Sequence, residues 1–258
     1  MLSKLKVKNN YFFKVEPIIS ILLDENFDKK ISLKDLLKNR FGEFNFINNF
    51  KIKIIIAPNL SFIIEDNLLD LELFSSNLEF VLNKDSNLDY ILRTDSLKTC
   101  KDFCGDCISC KKVEKIKKEL SFKFVGQGSC ADIKISLNGA GSYYFDLKTT
   151  QDHQASDSKS NLIIKSALSQ GAYLKSDNLV RIAKNLQRVE ANQINKNLLL
   201  GCSSKVICIP KLEVESNDVV CKHGAAVSRI DENQLFYLNS RGIGHCKARE
   251  VLIDAFLK

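Results

Sequence analysis

The residues best suited to chemistry in this sequence are a cysteine and a histidine near its C-terminal end. Cys221 and His223 stand two positions apart in the run DVVCKHG. On an extended strand this spacing places both side chains on one face, while Lys222 points the other way. A thiolate and an imidazole suit iron, zinc or an iron–sulfur cluster, but two ligands fill only half of a four-coordinate site. The pattern predicts either a half-site completed from elsewhere or a buried cysteine beside a hydrogen-bonded histidine.

A second group of cysteines lies in the middle of the chain. Cys100, Cys104, Cys107 and Cys110 have the spacing Cys-x3-Cys-x2-Cys-x2-Cys, and thiols this close together can converge on one metal ion or cluster. The first three match the spacing of radical enzymes that use S-adenosylmethionine, but the alternating βα pattern of a barrel is absent. The bacterial ferredoxin order places its three-residue gap last. A metal or cluster site and a loosely ordered cysteine-rich loop both stay open.

The other cysteines and one histidine are assigned no chemistry. Cys130, Cys202, Cys208 and Cys246 are scattered singly, and we expect each to be a small buried hydrophobic residue. His153 lies in the polar run QDHQASDSKS, which predicts a surface position. The sequence has no phosphate-binding loop, nucleophile elbow or HExxH motif, so any ATP would be hydrolysed by another chain.

Composition excludes several classes of protein. The 258 residues are 45% hydrophobic and 27% charged with a formal net charge of +7, which is typical of a globular chain. No apolar run approaches the ~20 residues of a membrane-spanning helix. Lys14 and Glu16 interrupt the apolar stretch that a secretory signal needs, so the nine cysteines indicate a reducing compartment. The lysine-rich run at 111–118 predicts a solvated helix face rather than a nucleic-acid or membrane site.

The hydrophobic pattern divides the chain into three parts. Residues 1–50 predict a short helical segment, with helices over 14–23 and 32–39 and Ser32 as an N-cap. Residues 51–230 predict a β core, interrupted by a cysteine- and lysine-rich insertion at about 96–120. Residues 231–258 predict two helices, the first capped by Asp231 with Gln234 and ended by Gly242, and the second running from about His245 to Phe256. These helices form either a terminal cap or a docking surface for a partner.

The β core is a series of short strand-like runs that recur about every 8–10 residues from 122 to 230 and are separated by Gly, Ser, Asn and Asp. Many of the runs alternate apolar and polar residues, as a sheet with one buried face requires. An antiparallel sandwich and a parallel β-helix both fit this series. Tight hairpin signals are scarce, since Asn138-Gly139 stands nearly alone, and this favours the β-helix.

The C-terminal part closely resembles the D-type branch of the SufB/SufD family, which belongs to the SUF iron–sulfur cluster assembly machinery. Where B-type members typically carry Glu-His-Glu-Ala, this chain has Cys-Lys-His-Gly at 221–224. The residues that carry the resemblance are Gln187, Ala191, Gln193, Asn195, Asn197, Pro210, Glu213, Asp218, Cys221, His223, Gly224, Ala225, Asp231, Leu235, Tyr237, Ser240, Arg241, Gly242, Ala248 and Arg249.

The resemblance implies a mainly β fold, a right-handed parallel β-helix with a short mixed N-terminal segment and C-terminal α-helices. It implies a non-catalytic scaffold that pairs with a SufB-like subunit and binds a SufC-like ATPase, in a bacterial cytoplasm or an organelle of bacterial descent. Cys221 and His223 would contribute to a transient cluster or iron at the subunit interface, and flavin binding is left undecided. The expected ATPase-binding residues are Leu235, Phe236, Leu238, Val251, Leu252 and Phe256.

Two other functions are weighed against the scaffold. One is an autonomous metal- or iron–sulfur-binding redox protein that uses the four cysteines at 100–110. The other is a β-helix carbohydrate enzyme, but the paired carboxylates that such catalysis needs are not evident on the strand runs. The chain is also shorter than typical family members, so we expect a reduced N-terminal part.

Overall fold

The protein folds as short parallel strands wound into a solenoid, with helices at its C-terminal end. The structure, a computed structural model, describes residues 18–41, 51–67, 75–94, 114–141, 143–201 and 203–258. None of the helices in these segments is both long and apolar enough to cross a membrane. The strands are β1 Ile18–Leu23, β2 Lys30–Ser32, β3 Lys51–Ile56, β4 Ser61–Asn67, β5 Ser75–Leu82, β6 Asn87–Arg93, β7 Glu114–Phe124, β8 Cys130–Gly139, β9 Tyr143–His153, β10 Lys159–Leu168, β11 Tyr173–Ile182, β12 Gln187–Leu199, β13 Lys205–Val214 and β14 Asp218–Arg229.

The strands form two parallel sheets that share one interior. The odd-numbered strands form a seven-stranded sheet in the order β1-β3-β5-β7-β9-β11-β13, and the even-numbered strands form a second in the order β14-β12-β10-β8-β6-β4-β2. The chain therefore alternates between the sheets, and each coil of two strands stacks on the coil before it. This is the right-handed parallel β-helix expected from the sequence, and crossovers between parallel strands almost always take this hand.

Alternation of side chains fills the interior. In β4 and β6 every second residue is buried, because successive side chains of a strand point to opposite faces. The first coils hold large apolar groups, with the rings of Phe80 and Phe122 stacked 5.0 Å apart. One ion pair lies among them, where the Lys118 ammonium donates to the Asp66 carboxylate over 2.8 Å and both side chains are buried.

The later coils bury polar side chains beside apolar ones. Thr149 Oγ1 donates to Asn178 Oδ1 over 2.9 Å, and Asn195 Nδ2 donates to Ser176 Oγ over 3.1 Å. All four side chains are buried. The first bond joins neighbouring coils, because Thr149 and Asn178 share a register position and such residues lie about 4.8 Å apart. The second bond crosses the interior between the two sheets.

Tight corners connect the strands. Asn59, Asp85 and Asp157 have positive φ angles at corners, a conformation that Asn and Asp tolerate better than other non-glycine residues. At Gly126 an added Cβ would collide with the backbone nitrogen of Lys84. Glycine is therefore required where the corner at Gly126 touches the corner at Lys84.

Three helices accompany the strands of the described segments: α1 Leu33–Phe41, α2 Glu232–Ser240 and α3 His245–Leu257. The Asp231 carboxylate caps α2 by accepting from the Asn233 amide over 2.9 Å. Gly242 follows α2 with a φ of 82°, and the Ile243 amide donates back to the Leu238 carbonyl. Both predicted C-terminal helices, the Asp231 cap and the stop at Gly242 are confirmed.

The structure corrects the prediction for the N-terminal part. A helix was expected over 14–23, but Ile18–Leu23 is strand β1 and pairs in parallel with Lys51–Ile56. Its isoleucines and leucines satisfied a helical period, yet Ile21 and Leu23 are buried inside the β-helix while Leu22 between them is exposed. The helix expected over 32–39 is present as α1, directly after Ser32.

The lysine-rich run is also placed differently from the prediction. A solvated helix face was expected over 111–118 and an insertion over about 96–120, but Glu114–Phe124 is strand β7. Lys118 points into the interior, where Asp66 neutralises it. The four cysteines at 100, 104, 107 and 110 lie outside the described residues.

The strands recur at wider intervals than the expected 8–10 residues, because some neighbouring runs belong to the same strand. The runs GAYLKS and LVRIAK both contribute to one strand, β11. The polar residues between them resembled a turn, but Ser176 and Asn178 are buried and hydrogen-bonded to each other inside the coil.

Candidate functional site

No described segment of the chain covers the outer side of the last coil of the β-helix. Strands β13 and β14 are the final strands of their sheets, and each pairs with one neighbour among the described strands. Inner positions that are buried in the preceding coils are therefore exposed here. Leu212 on β13 is 41% exposed and Val227 on β14 is 54% exposed. Unpaired strand edges of this kind are ready templates for another chain.

Cys221 and His223 lie on the inner face of this last coil. Cys221 is in register with Ala191, and His223 is in register with Gln193. Both partners on β12 are buried, so the β14 side chains continue the interior stack. Cys221 is half-buried and His223 is exposed. The open end of the coil thus presents a thiol and an imidazole side by side.

The surroundings of Cys221 keep its thiol protonated. It packs against a buried apolar cluster that includes Val180, Ile182 and Val189. This burial raises the pKa of the Cys221 thiol, because an apolar environment disfavours the thiolate. Binding of a metal ion would be needed to hold the sulfur as thiolate.

The described residues contain no group of three His, Cys, Asp or Glu side chains that could hold a metal ion. Cys221 and His223 would therefore supply at most two ligands, fewer than the four of a usual zinc or iron–sulfur site. A complete site here would need further ligands from outside the described residues. An open coil edge is a position where a second chain can provide them.

Cys208, which was given no role from the sequence, lies in the same coil. It is half-buried on β13, in register with the buried Ser176. Asn197 Nδ2 donates to Cys208 Sγ over 3.3 Å and to the Ala226 carbonyl over 3.2 Å. Asn197 thus ties both strands of the last coil together. Burial raises the pKa of the Cys208 thiol although the Asn197 hydrogen bond opposes this.

The burial expected for the remaining single cysteines is only partly observed. Cys130 is half-buried, which is close to the expected packing role. Cys246 is exposed at the start of α3, so the expectation that it is buried is wrong. Cys202 lies outside the described residues.

His153 is buried, so the predicted surface position is wrong. It ends β9 inside the coil, where its ring nitrogens lie 2.7 Å from Ser158 Oγ and 2.8 Å from Ser160 Oγ. Burial lowers the pKa of His153 to about 4, although the adjacent Asp152 carboxylate opposes the shift. At neutral pH this histidine is an uncharged structural group.

The C-terminal helix α3 packs beside the β-helix near the ends of its even-numbered strands. Ile253 packs with Ala167 and Leu198. Arg249 Nη2 donates to the Leu200 carbonyl over 2.9 Å, and Ser136 Oγ donates to the Leu257 carbonyl over 3.1 Å. The helix is therefore anchored along its length by apolar packing and hydrogen bonds.

The six expected ATPase-binding residues differ in their exposure to solvent. Leu235 is buried, and Leu238, Leu252 and Phe256 are partly buried. Phe236 is 74% exposed and Val251 is 40% exposed. Tyr237, which the helical pattern did not single out, is also exposed. The exposed large apolar side chains of these two helices are therefore Phe236, Tyr237 and Val251.

Comparison with known proteins gives consistent matches. A family model described as SUF system FeS cluster assembly, SufBD core domain, matches residues 69–256. The iron–sulfur cluster assembly protein SufD of Escherichia coli is 35% identical over 111 residues, which cover 43% of this chain and 26% of that protein. An iron–sulfur cluster assembly SufBD family protein of Mycobacterium leprae is 32% identical over 152 residues, covering 55% of this chain and 38% of the relative.

A chloroplastic protein of Arabidopsis thaliana is 41% identical over 80 residues, which cover 31% of this chain and 17% of that protein. The matched part of the chain thus spans 17–38% of the length of these three relatives. The matches confirm the resemblance expected from the sequence, including its D-type character.

Proposed function

Because the chain belongs to the SufBD family of the SUF iron–sulfur cluster assembly system, we propose that it is a non-catalytic scaffold subunit on which a cluster is assembled. The observation that carries the proposal is the pair Cys221 and His223 on the uncovered last coil. The pair has the chemistry of an iron or cluster site but half of its ligands. The cluster is the cargo of this site and is passed on.

The proposed partner at the open coil is a SufB-like subunit. Strands β13 and β14 offer free edges together with exposed apolar side chains such as Leu212 and Val227. A second β-helix subunit would cover these side chains and bring the missing ligands to Cys221 and His223. The uncovered coil supports pairing through this end rather than through the covered coils.

The proposed partner at the C-terminal helices is a SufC-like ATPase. Phe236, Tyr237 and Val251 are exposed apolar side chains on two helices, and α3 is anchored to the β-helix. A motion of the ATPase could therefore reach the coils through packed side chains. The setting of the complex is a bacterial cytoplasm or an organelle of bacterial descent, and the chloroplastic relative supports the second alternative.

Capture of partners tests this proposal. The tagged chain would be isolated from its native host, and the bound proteins identified by mass spectrometry. We expect a SufB-like subunit and a SufC-like ATPase. The double substitution Leu212→Arg with Val227→Arg should abolish capture of the SufB-like subunit, because charged groups would have to be buried in the interface.

The matched control is Leu22→Arg, since Leu22 is an exposed apolar residue of the first coil. This variant should capture the SufB-like subunit as the wild type does. Recovery of the chain without either partner would overturn the scaffold proposal. Undiminished capture by the double variant would overturn the open coil as the pairing surface.

A further inference from the structure

The interior of the last coils contains polar side chains beside apolar ones, and most of these polar side chains make at least one hydrogen bond. Gln151 Nε2 donates to Ser160 Oγ over 2.6 Å, and Asn195 Nδ2 donates to Ser176 Oγ. Such pairings are expected, because a buried polar atom without a partner costs about 1–3 kcal/mol. Each remaining unpaired group therefore needs an explanation.

Gln193 is the clearest unpaired group in this interior. Its side chain is fully buried, and neither its Oε1 nor its Nε2 atom has a hydrogen-bond partner in the described part of the chain. The coil beneath cannot supply one at this register position, because the β10 residue in register with Gln193 is Leu162. On its own strand, the adjacent inner positions hold Ala191 and Asn195. The Asn195 amide nitrogen donates to Ser176, and Asn195 Oδ1 makes no hydrogen bond to Gln193 or to any other described residue.

The register position on the other side of Gln193 is occupied by His223. Strands in register lie about 4.8 Å apart, so a glutamine amide reaches an imidazole stacked above it. His223 is exposed because no described coil follows β14, and its ring is free to turn toward the amide. An amide can accept from a ring N–H or donate to a bare ring nitrogen.

We propose that Gln193 is the positioning residue for His223, bonded to one ring nitrogen directly or through one water molecule. The bond selects one tautomer of the imidazole and directs the other ring nitrogen outward, where the partner and its cargo would meet it. Ligating histidines almost always have such a partner on their second nitrogen, and losing that partner costs about 10–100-fold in metal affinity. The value of this arrangement for iron or a cluster rests on the function proposed above.

Nitrogen-15 NMR of the full chain tests the inference, because the protein has three histidines. His153 is buried and His245 is exposed at the start of α3, so His245 serves as the reference for a free imidazole. At mildly alkaline pH we expect His223 to hold one neutral tautomer in the wild type. In Gln193→Met, which keeps the length of the side chain but lacks the amide, His223 should show the mixed tautomers of His245.

The matched control is Gln151→Met. Gln151 is equally buried in the polar interior, but it lies on β9 and is not in register with His223. This control should leave the nitrogen shifts of His223 unchanged. A reciprocal measurement follows the Gln193 amide, whose resonances should shift in His223→Ala.

Three results would overturn the inference: mixed His223 tautomers in the wild type, no change in Gln193→Met, or an equal change in Gln151→Met. If Gln193→Met does not fold, the comparison of His223 with His245 in the wild type decides. Release of His223 by Gln193→Met together with normal cluster assembly by His223→Ala would leave the positioning role in place and overturn the proposed function. The positioning role of Gln193 and the proposed function can therefore be refuted independently of each other.

Discussion

The imidazole of His153 stacks on the ring of Phe124 with centroids 4.3 Å apart and planes 4° from parallel. The stack lies inside the β-helix, and Ser158 and Ser160 hold both ring nitrogens. Burial disfavours the charged imidazolium and lowers the pKa of His153 to about 4. The enclosed histidine is therefore neutral at neutral pH. The fold therefore carries a built-in dependence on pH.

We expect the free energy of unfolding to fall as the pH drops from about 6.5 to about 4. In this window the unfolded chain binds a proton at His153, whereas the folded chain does not until the pH nears its lowered pKa of about 4. The contribution is up to about 3 kcal/mol, present above the window and lost within it. Urea unfolding of the wild type and of His153→Gln across this pH range would measure it. An equal pH dependence in both proteins would contradict the prediction.

A second prediction concerns the buried ion pair of the early coils. Asp66 Oδ2 accepts from both the Lys118 ammonium and the Tyr90 hydroxyl. Lys118→Met leaves a buried carboxylate without its counter-charge, so we expect a loss of about 3–5 kcal/mol in the free energy of unfolding. The double variant Asp66→Leu with Lys118→Met removes both charges and should be more stable than Lys118→Met alone. A double variant that is no more stable than the single one would refute this explanation.

These two sites show what the sequence could and could not predict about the fold. Alternating apolar residues and scarce hairpin signals were enough to favour a β-helix. They were not enough to place His153, Lys118 or Asn178 inside it, because single-sequence reasoning assigns polar residues to the surface. Their partners come from other coils, as with Thr149 and Asn178, which are 29 residues apart. Only the register between coils reveals such pairs.

The same limit applies to the candidate site. The two-residue spacing of Cys221 and His223 predicts a shared face, and their register partners agree with this geometry. That the last coil is uncovered, that Cys208 belongs to it and that Gln193 lies behind His223 all depend on the stacking of strands. The sequence pattern contains no signal for that stacking.

A third prediction separates docking from folding at the C-terminal helices. Phe236→Ser and Val251→Ser change exposed side chains, so each should alter the free energy of unfolding by no more than about 0.5 kcal/mol. Together they should weaken binding of the SufC-like ATPase by at least about tenfold, as loss of apolar interface anchors does. The control Ile253→Ala should instead lower stability by about 2–5 kcal/mol, because Ile253 is packed against the β-helix. Unchanged ATPase affinity in the double variant would exclude this surface.

The cysteines at 100–110 give a fourth prediction. If their spacing holds a metal ion or cluster, anaerobically purified protein should contain iron or zinc that is lost in the double variant Cys104→Ser with Cys107→Ser. Cys130→Ser is the control, since Cys130 is a single half-buried thiol elsewhere in the chain. Equal metal content in the wild type and the double variant would eliminate the second site. Metal retained by the isolated wild-type chain would favour the redox-protein alternative.

In the proposed function, Cys221 and His223 serve cluster assembly at the open coil. The most direct test is anaerobic reconstitution of the purified complex with the SufB-like subunit and the SufC-like ATPase, with iron and sulfide quantified per complex. We predict that His223→Ala leaves the complex intact but strongly lowers its cluster content. The neighbouring Lys222→Ala, on the opposite face of β14, should match the wild type. Equal cluster content in His223→Ala and the wild type would overturn the proposed role of His223 in cluster assembly.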